Sequence, residues 1–163
     1  MRDPGLAATD PSDADAVARL ARVAGMPPAP GGGAQTWTVG GRDVLGYATA
    51  GGNFCFAFAG GAGGCLHPGT LTPERPLEVM TGYGPGTFNV YSLALDGVTA
   101  VTVRLGGPPR PAAFAHNSFA YSDPGLGGTA GVDGELIATM GDGMIRALPF
   151  HVGSLEIAAD GLP

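Results

Sequence analysis

Cys55 and Cys65 stand ten positions apart, and His67 follows two residues beyond the second thiol. Three chemistries fit such a set. The thiols can close an intrachain disulfide, remain free and buried, or bind zinc with His67 and a distant histidine, His116 or His151. Structural zinc takes four ligands, usually with closer thiol pairs. Thioredoxin-like exchange has no support, because the spacing is not Cys-x-x-Cys and no βαβ pattern surrounds it. Gly60, Gly61, Gly63 and Gly64 lie between the cysteines and can turn the chain back on itself, so the disulfide is the economical reading.

The densest polar cluster inside an apolar run is His116-Asn117-Ser118. A serine-type hydrolase would use Ser118 as nucleophile, His116 or His151 as base, and Asp123 or Asp142 to orient it. No Gly-x-Ser-x-Gly elbow surrounds Ser118, and sequence adjacency does not make a triad. The competing reading is a turn or bulge in which Asn117 bonds nearby backbone. Asp133, Glu135 and Asp142 sit beside glycines in turn-like surroundings, where solvated acids are the ordinary case. Asp123 to Glu135 does not supply the alternating oxygens of a calcium loop. Trp37, Tyr47, Tyr83 and Tyr91 could form an aromatic platform for sugar or peptide, although strand aromatics more often belong to the core, and Gly82-Tyr83-Gly84-Pro85 predicts a loop tyrosine. Tyr83 and Trp37 are therefore the candidate binding residues for a protein or glycan ligand.

Composition bounds what else the chain can be. Its 163 residues suit one domain with a real core. Thirty glycines and fifteen prolines favour many turns, while 44% hydrophobic content in short blocks argues against disorder. The net charge is −6 and the chain contains no lysine, so nucleic-acid binding lacks a basic surface. The glycine runs carry no Gly-Lys-Ser/Thr and open no helix after a strand, so no phosphate or other cofactor loop is expected. No run approaches a membrane span.

The elements that must position these groups follow from periodicity. Residues 1–34 hold a helix and a linker. Ser12 and Asp15 loosely match a capping box, Ala16, Val17, Leu20, Ala21 and Ala24 form a narrow stripe, and Gly25 with Pro27 ends the helix. Pro27 to Gly33 reads as a stiff and then flexible linker, leaving the helix loosely attached. From residue 35 to 158, short alternating runs separated by Gly, Pro and Asp turns predict nine or ten strands, with residues 159–163 as a tail. An all-β fold follows: an antiparallel sandwich or small barrel preceded by one short N-terminal helix. Phe88 to Leu95 is apolar on both faces, which predicts a buried central strand. Asp96-Gly97 is the strongest hairpin signal, and a last strand is expected through Leu155 and Ile157.

The combination of Cys55, a glycine-rich loop, Cys65, Leu95-Asp96-Gly97-Val98, Val101-Thr102-Val103-Arg104-Leu105, and Asn117 with Phe119 resembles small β domains common in actinobacteria, many of them attached to the cell envelope. The likeness spans about residues 50–120 and rests on structural motifs. It implies a fold and an extracytoplasmic location, and no catalysis. Two features differ: the N-terminal hydrophobic segment such proteins often carry is missing, and Gly106-Gly107-Pro108-Pro109 replaces a polar turn.

A disulfide belongs to an oxidising compartment, yet the first thirty residues contain no signal-peptide pattern. An export segment removed ahead of residue 1 reconciles the two, with a cytoplasmic home and free thiols as the alternative. The expected function is a non-enzymatic binding or structural domain of the cell envelope or exterior. The alternatives are a hydrolase using Ser118 and His116, or a self-associating β-rich subunit of a larger assembly such as a phage particle.

Overall fold

The computed structural model describes residues 11–59, 63–84, 86–126 and 131–153. It contains one helix, α1 (Pro11–Ala24), and twelve strands. Sheet I is the meander β1 (Gln35–Val39), β2 (Arg42–Ala48), β3 (Phe54–Phe58) and β4 (Gly63–Leu66). Sheet II joins β5 (Met80–Gly84), β6 (Thr87–Leu93), β10 (Ser118–Asp123) and β9 (Ala113–Ala115), in that order. Sheet III joins β12 (Ile145–Val152), β11 (Val132–Met140), β7 (Val98–Arg104) and β8 (Arg110–Pro111). Every pairing is antiparallel. All three strand orders are open, so the sandwich expectation holds and the barrel does not apply to the described residues.

Sheet II is the middle layer, and the pleat of β6 explains why. Successive side chains in a strand point to opposite faces. Phe88 and Val90 pack with Val101, Val103, Leu136 and Ala138 of sheet III. Tyr91 and Leu93 pack with Trp37, Val44, Phe56 and Phe58 of sheet I. A strand covered on both sides must be apolar on both sides, as the run from Phe88 predicts. The one large polar insertion is Asn89, whose Oδ1 accepts from Arg42 Nη2 at 2.7 Å and from Ser122 Oγ at 2.7 Å. That cluster ties β2 to sheet II while satisfying a buried amide.

The outer face of sheet I is covered by α1, which corrects the expectation of a loosely attached helix. Val17, Leu20 and Ala21 lie at i, i+3 and i+4, so they share one helix face, and they pack with Tyr47 and Cys55. Met26 N donates to Ala21 O at 3.1 Å around Gly25, a Schellman closure that ends the helix where its sequence indicated. The helix already includes Ser12, so Ser12 is not its cap. Nor is the segment after it a free linker. Pro28 bridges Thr49, Ala29 N donates to Ala48 O at 2.9 Å, and Tyr47 Oη donates to Met26 O at 3.0 Å.

One of two turns departs from the role its sequence suggested. Asp96-Gly97 does not close a hairpin; it carries the chain from β6 in sheet II to β7 in sheet III. A type I′ hairpin needs positive φ at both central residues. Here only Gly97 has it, at 94°, and Val98 N bonds Leu95 O at 3.2 Å. The strands therefore diverge into different layers. His116 and Asn117, at φ 49° and 54°, form the two-residue hairpin between β9 and β10, which is the turn expected of this polar cluster. Ahead of β5, Leu77 makes a single bridge to Ala94. The expected strand through Leu155 and Ile157 and the tail at 159–163 lie outside the described residues.

Candidate binding cleft

Cys55 and Cys65 are register partners on β3 and β4 and form a disulfide, with Cα atoms 4.0 Å apart. The zinc and free-thiol alternatives fall away with that bond. The bridge lies on the helix-covered face, with Cys55 fully buried. The next rung outward pairs Phe54 with Leu66 on the opposite face, and His67 Nδ1 donates to Asn53 Oδ1 at 2.8 Å just beyond. The bridge therefore clamps the strand ends that carry these four residues.

Phe54, Leu66 and His67 form one wall of a cleft of about 260 Å³, and Leu95 and Asp96 line it from the turn between sheets II and III. Pro68, Gly69 and Leu71 complete it from the loop after β4. That loop has a fixed shape. Thr70 N donates to His67 O at 3.1 Å, Pro68 stands at the second turn position, and Gly69 takes φ 82° at the third, as a type II turn requires. Gly46 allows the approach of Phe54: a Cβ at that position would stand 2.6 Å from Phe54 Cζ and 2.9 Å from the Trp37 ring.

The polar members are also held. Asn117 Nδ2 donates to Asp96 Oδ1, linking the β9–β10 hairpin to the interlayer turn, and Ala94 N donates to Asn117 O at 2.8 Å. Asn53 N donates to Thr49 Oγ1 at 3.1 Å, fixing the residue that receives the His67 proton. With Nδ1 bonded to an amide oxygen, Nε2 is the ring atom left to meet a ligand. Among the described residues, Asp96 and His67 are the titratable ones lining the cleft.

The sequence-derived candidates stand elsewhere. Trp37 lies between sheets I and II at 7% exposure, and its indole Nε1 donates to Ser118 Oγ at 2.7 Å. One edge of it borders a shallow groove with Thr36, Thr38 and Asp43. Tyr83 is not in a loop. It lies on β5, with its ring centroid 5.2 Å from that of Phe88, and packs on the core between sheets II and III. Sheet II thus separates Trp37 from Tyr83, and they form no common platform. The glycines flanking Tyr83 suggested a break, but ladder pairing of Gly82 to Asn89 and Gly84 to Thr87 overrides that local preference.

Ser118 is fully buried, and its hydroxyl donates to Ala115 O at 2.6 Å while accepting from Trp37. His116 is exposed at the hairpin tip, and His151 Nδ1 pairs with Asp133 Oδ1 at 2.7 Å on sheet III. Asp123 accepts from Gly125 N and Tyr121 Oη, Asp142 accepts from Met144 N, and Glu135 pairs with Arg104 at 2.8 Å. Burial first, and then contact with Asp123, raise the Tyr121 pKa against a lowering influence of Arg110, and burial raises that of Tyr47. Among the described residues, no three of His, Cys, Asp and Glu gather as a metal site, and no helix is long and apolar enough to cross a membrane.

Sequence reading missed Asp96 as a site residue because Asp-Gly is so strong a turn signal, and weighed His67 only as a metal ligand. The usable signal was His67-Pro68-Gly69, one residue past Cys65, a rigid turn beside a staple. No protein-family model, curated protein or solved structure matches the chain.

Proposed function

We propose that this protein is a non-enzymatic binding domain of the cell envelope or exterior, and that it binds through the cleft between Phe54, His67 and Asp96. The observation that carries this reading is preorganisation. The wall bearing Phe54 and Leu66 adjoins a disulfide rung, and both polar members are fixed by side-chain amides, His67 by Asn53 and Asp96 by Asn117. Groups ordered before a ligand arrives need not be ordered by it, so more of the contact energy appears as affinity. Apolar walls with a few fixed polar groups are also the usual make-up of a ligand pocket. The disulfide supports the location, since such bonds persist in oxidising compartments.

Amide-resolved NMR of the oxidised protein against peptide and oligosaccharide libraries tests the proposal. The expected result is shift changes concentrated at Leu66, His67, Leu95 and Asp96, weakened when Cys55–Cys65 is reduced. Ligands that perturb only other surfaces would overturn the cleft assignment. Labelling by a serine-directed fluorophosphonate that disappears in Ser118→Ala would replace the whole reading with the hydrolase.

A further inference from the structure

We propose that Met26 is a sulfoxidation site whose state is read at His67 through the side chain of Asn53. The modification stands apart from the cleft reading; its consequence for a ligand rests on that reading. Three observations carry the proposal. First, the thioether stands at a junction. Met26 Sδ lies 3.9 Å from Cys55 Sγ and 3.6 Å from Asn53 Nδ2, and the residue is partly buried where α1 closes onto sheet I. Its backbone is held on both sides, by the bond from Met26 N to Ala21 O at 3.1 Å and by that from Tyr47 Oη to Met26 O at 3.0 Å. The sulfur therefore keeps its place beside the amide.

Second, the sulfur faces a donor. Methionine sulfoxide is polar, and an oxygen added in a partly buried place costs free energy unless it is hydrogen-bonded. Asn53 Nδ2 is placed to supply that bond. Among the described residues, Met26 and Met144 are the methionines whose sulfur faces a nitrogen donor, Met144 through Arg146 Nη2 at 3.7 Å. Met144 is exposed and does not line the cleft, while Met80 and Met140 pack against the two inter-sheet cores. The oxidant is hydrogen peroxide: one oxygen passes to a sulfur lone pair, the O–O bond breaks, the sulfur gives up two electrons, and water leaves.

Third, the same amide sets the ring of His67. Asn53 Oδ1 accepts from His67 Nδ1 at 2.8 Å, so the neutral ring carries its proton on Nδ1. Turning the amide over would set Nδ2 against the ring and require the proton on Nε2. A thioether is a weak acceptor and opposes that reversal only weakly. A sulfoxide oxygen opposes it strongly, because the reversed amide would meet it oxygen against oxygen. Sulfoxidation thus locks the Nδ1–H form and presents Nε2 as an acceptor at the cleft wall, favouring ligands that bring a donor.

The test treats the disulfide-intact full chain with hydrogen peroxide. Peptide mass mapping locates the added oxygen, and ring-nitrogen NMR reads His67 at about pH 9, where an ordinary imidazole is neutral. Met144 should convert first and Met26 next, ahead of Met80 and Met140. A hydrogen bond of ordinary net strength shifts an equilibrium roughly 2–10-fold, so the ratio of Nδ1–H to Nε2–H His67 should rise by that factor. Met26→Leu keeps the apolar volume without the sulfur, and should abolish the ring response while Met144 still oxidises. Met26 left unmodified after Met80 and Met140 convert would overturn the site. Met26 sulfoxide with an unchanged His67 ring, or a ring response that survives in Met26→Leu, would overturn the relay. So would loss of the Val17 and Leu20 contacts with sheet I, because the oxide would then act by undocking α1. A ring response in a protein whose cleft no peptide or oligosaccharide perturbs would sustain the modification and remove the cleft as the binding site.

Discussion

Replacing Ser118 by alanine removes a small hydroxyl, but the consequence reaches across two sheets. Ser118 Oγ accepts the Trp37 indole proton, at 2.7 Å, in a position with no solvent exposure. Without it, the Trp37 N–H is left in the core with no acceptor, and leaving a buried donor unsatisfied costs about 1–3 kcal/mol. The 2.6 Å bond to Ala115 O goes as well. We therefore expect Ser118→Ala to destabilise by about 2 kcal/mol, or roughly 4–8 °C in Tm for a chain of this size. Trp37→Phe removes the donor at the cost of some packing volume. Once the donor is gone, the added Ser118→Ala change should cost much less, so the double-mutant cycle should return a coupling of about 1–2 kcal/mol. Urea unfolding of the four proteins, followed by circular dichroism, measures it. A coupling within 0.3 kcal/mol of zero, on the scale of ordinary additivity error, would show that the serine does not act through the tryptophan.

Ser92 is the contrasting case: it is equally buried on β6, but its Oγ has no hydrogen-bond partner. Ser92→Ala should therefore leave stability unchanged or raise it by about 1 kcal/mol in the same assay, and a loss above about 1 kcal/mol would refute that assignment. Removing the staple with Cys55→Ala and Cys65→Ala together opens a loop of ten residues' separation, worth about 2.7 kcal/mol in the chain-entropy treatment. A Tm drop of roughly 5–10 °C is expected by calorimetry, and a drop under 2 °C would mean that the β3–β4 ladder holds without the bond.

Local patterns were sufficient to specify the kind of elements present here. The helix stripe Val17, Leu20 and Ala21, its Gly25 stop, the alternation around Trp37 and the two-faced run from Phe88 each depend on side-chain periodicity and backbone freedom within a few residues. The cysteine staple was legible for the same reason, since a strand and a glycine-rich return sufficed to bring the thiols together. Which strands would be neighbours was not legible. Asp96-Gly97 encodes a turn, but whether the next strand pairs or crosses to another layer depends on the φ adopted at Asp96 and on partners such as β11, some forty residues away. Tyr83 shows the same limit: glycines on both sides suggest a loop, and only the ladder to β6 and the ring of Phe88 make it a strand residue. The cleft is wholly a tertiary object. It needs the ends of β3 and β4, the turn after β6 and the tip of the β9–β10 hairpin, segments far apart in sequence, and their meeting is fixed by long-range core packing that no local propensity encodes.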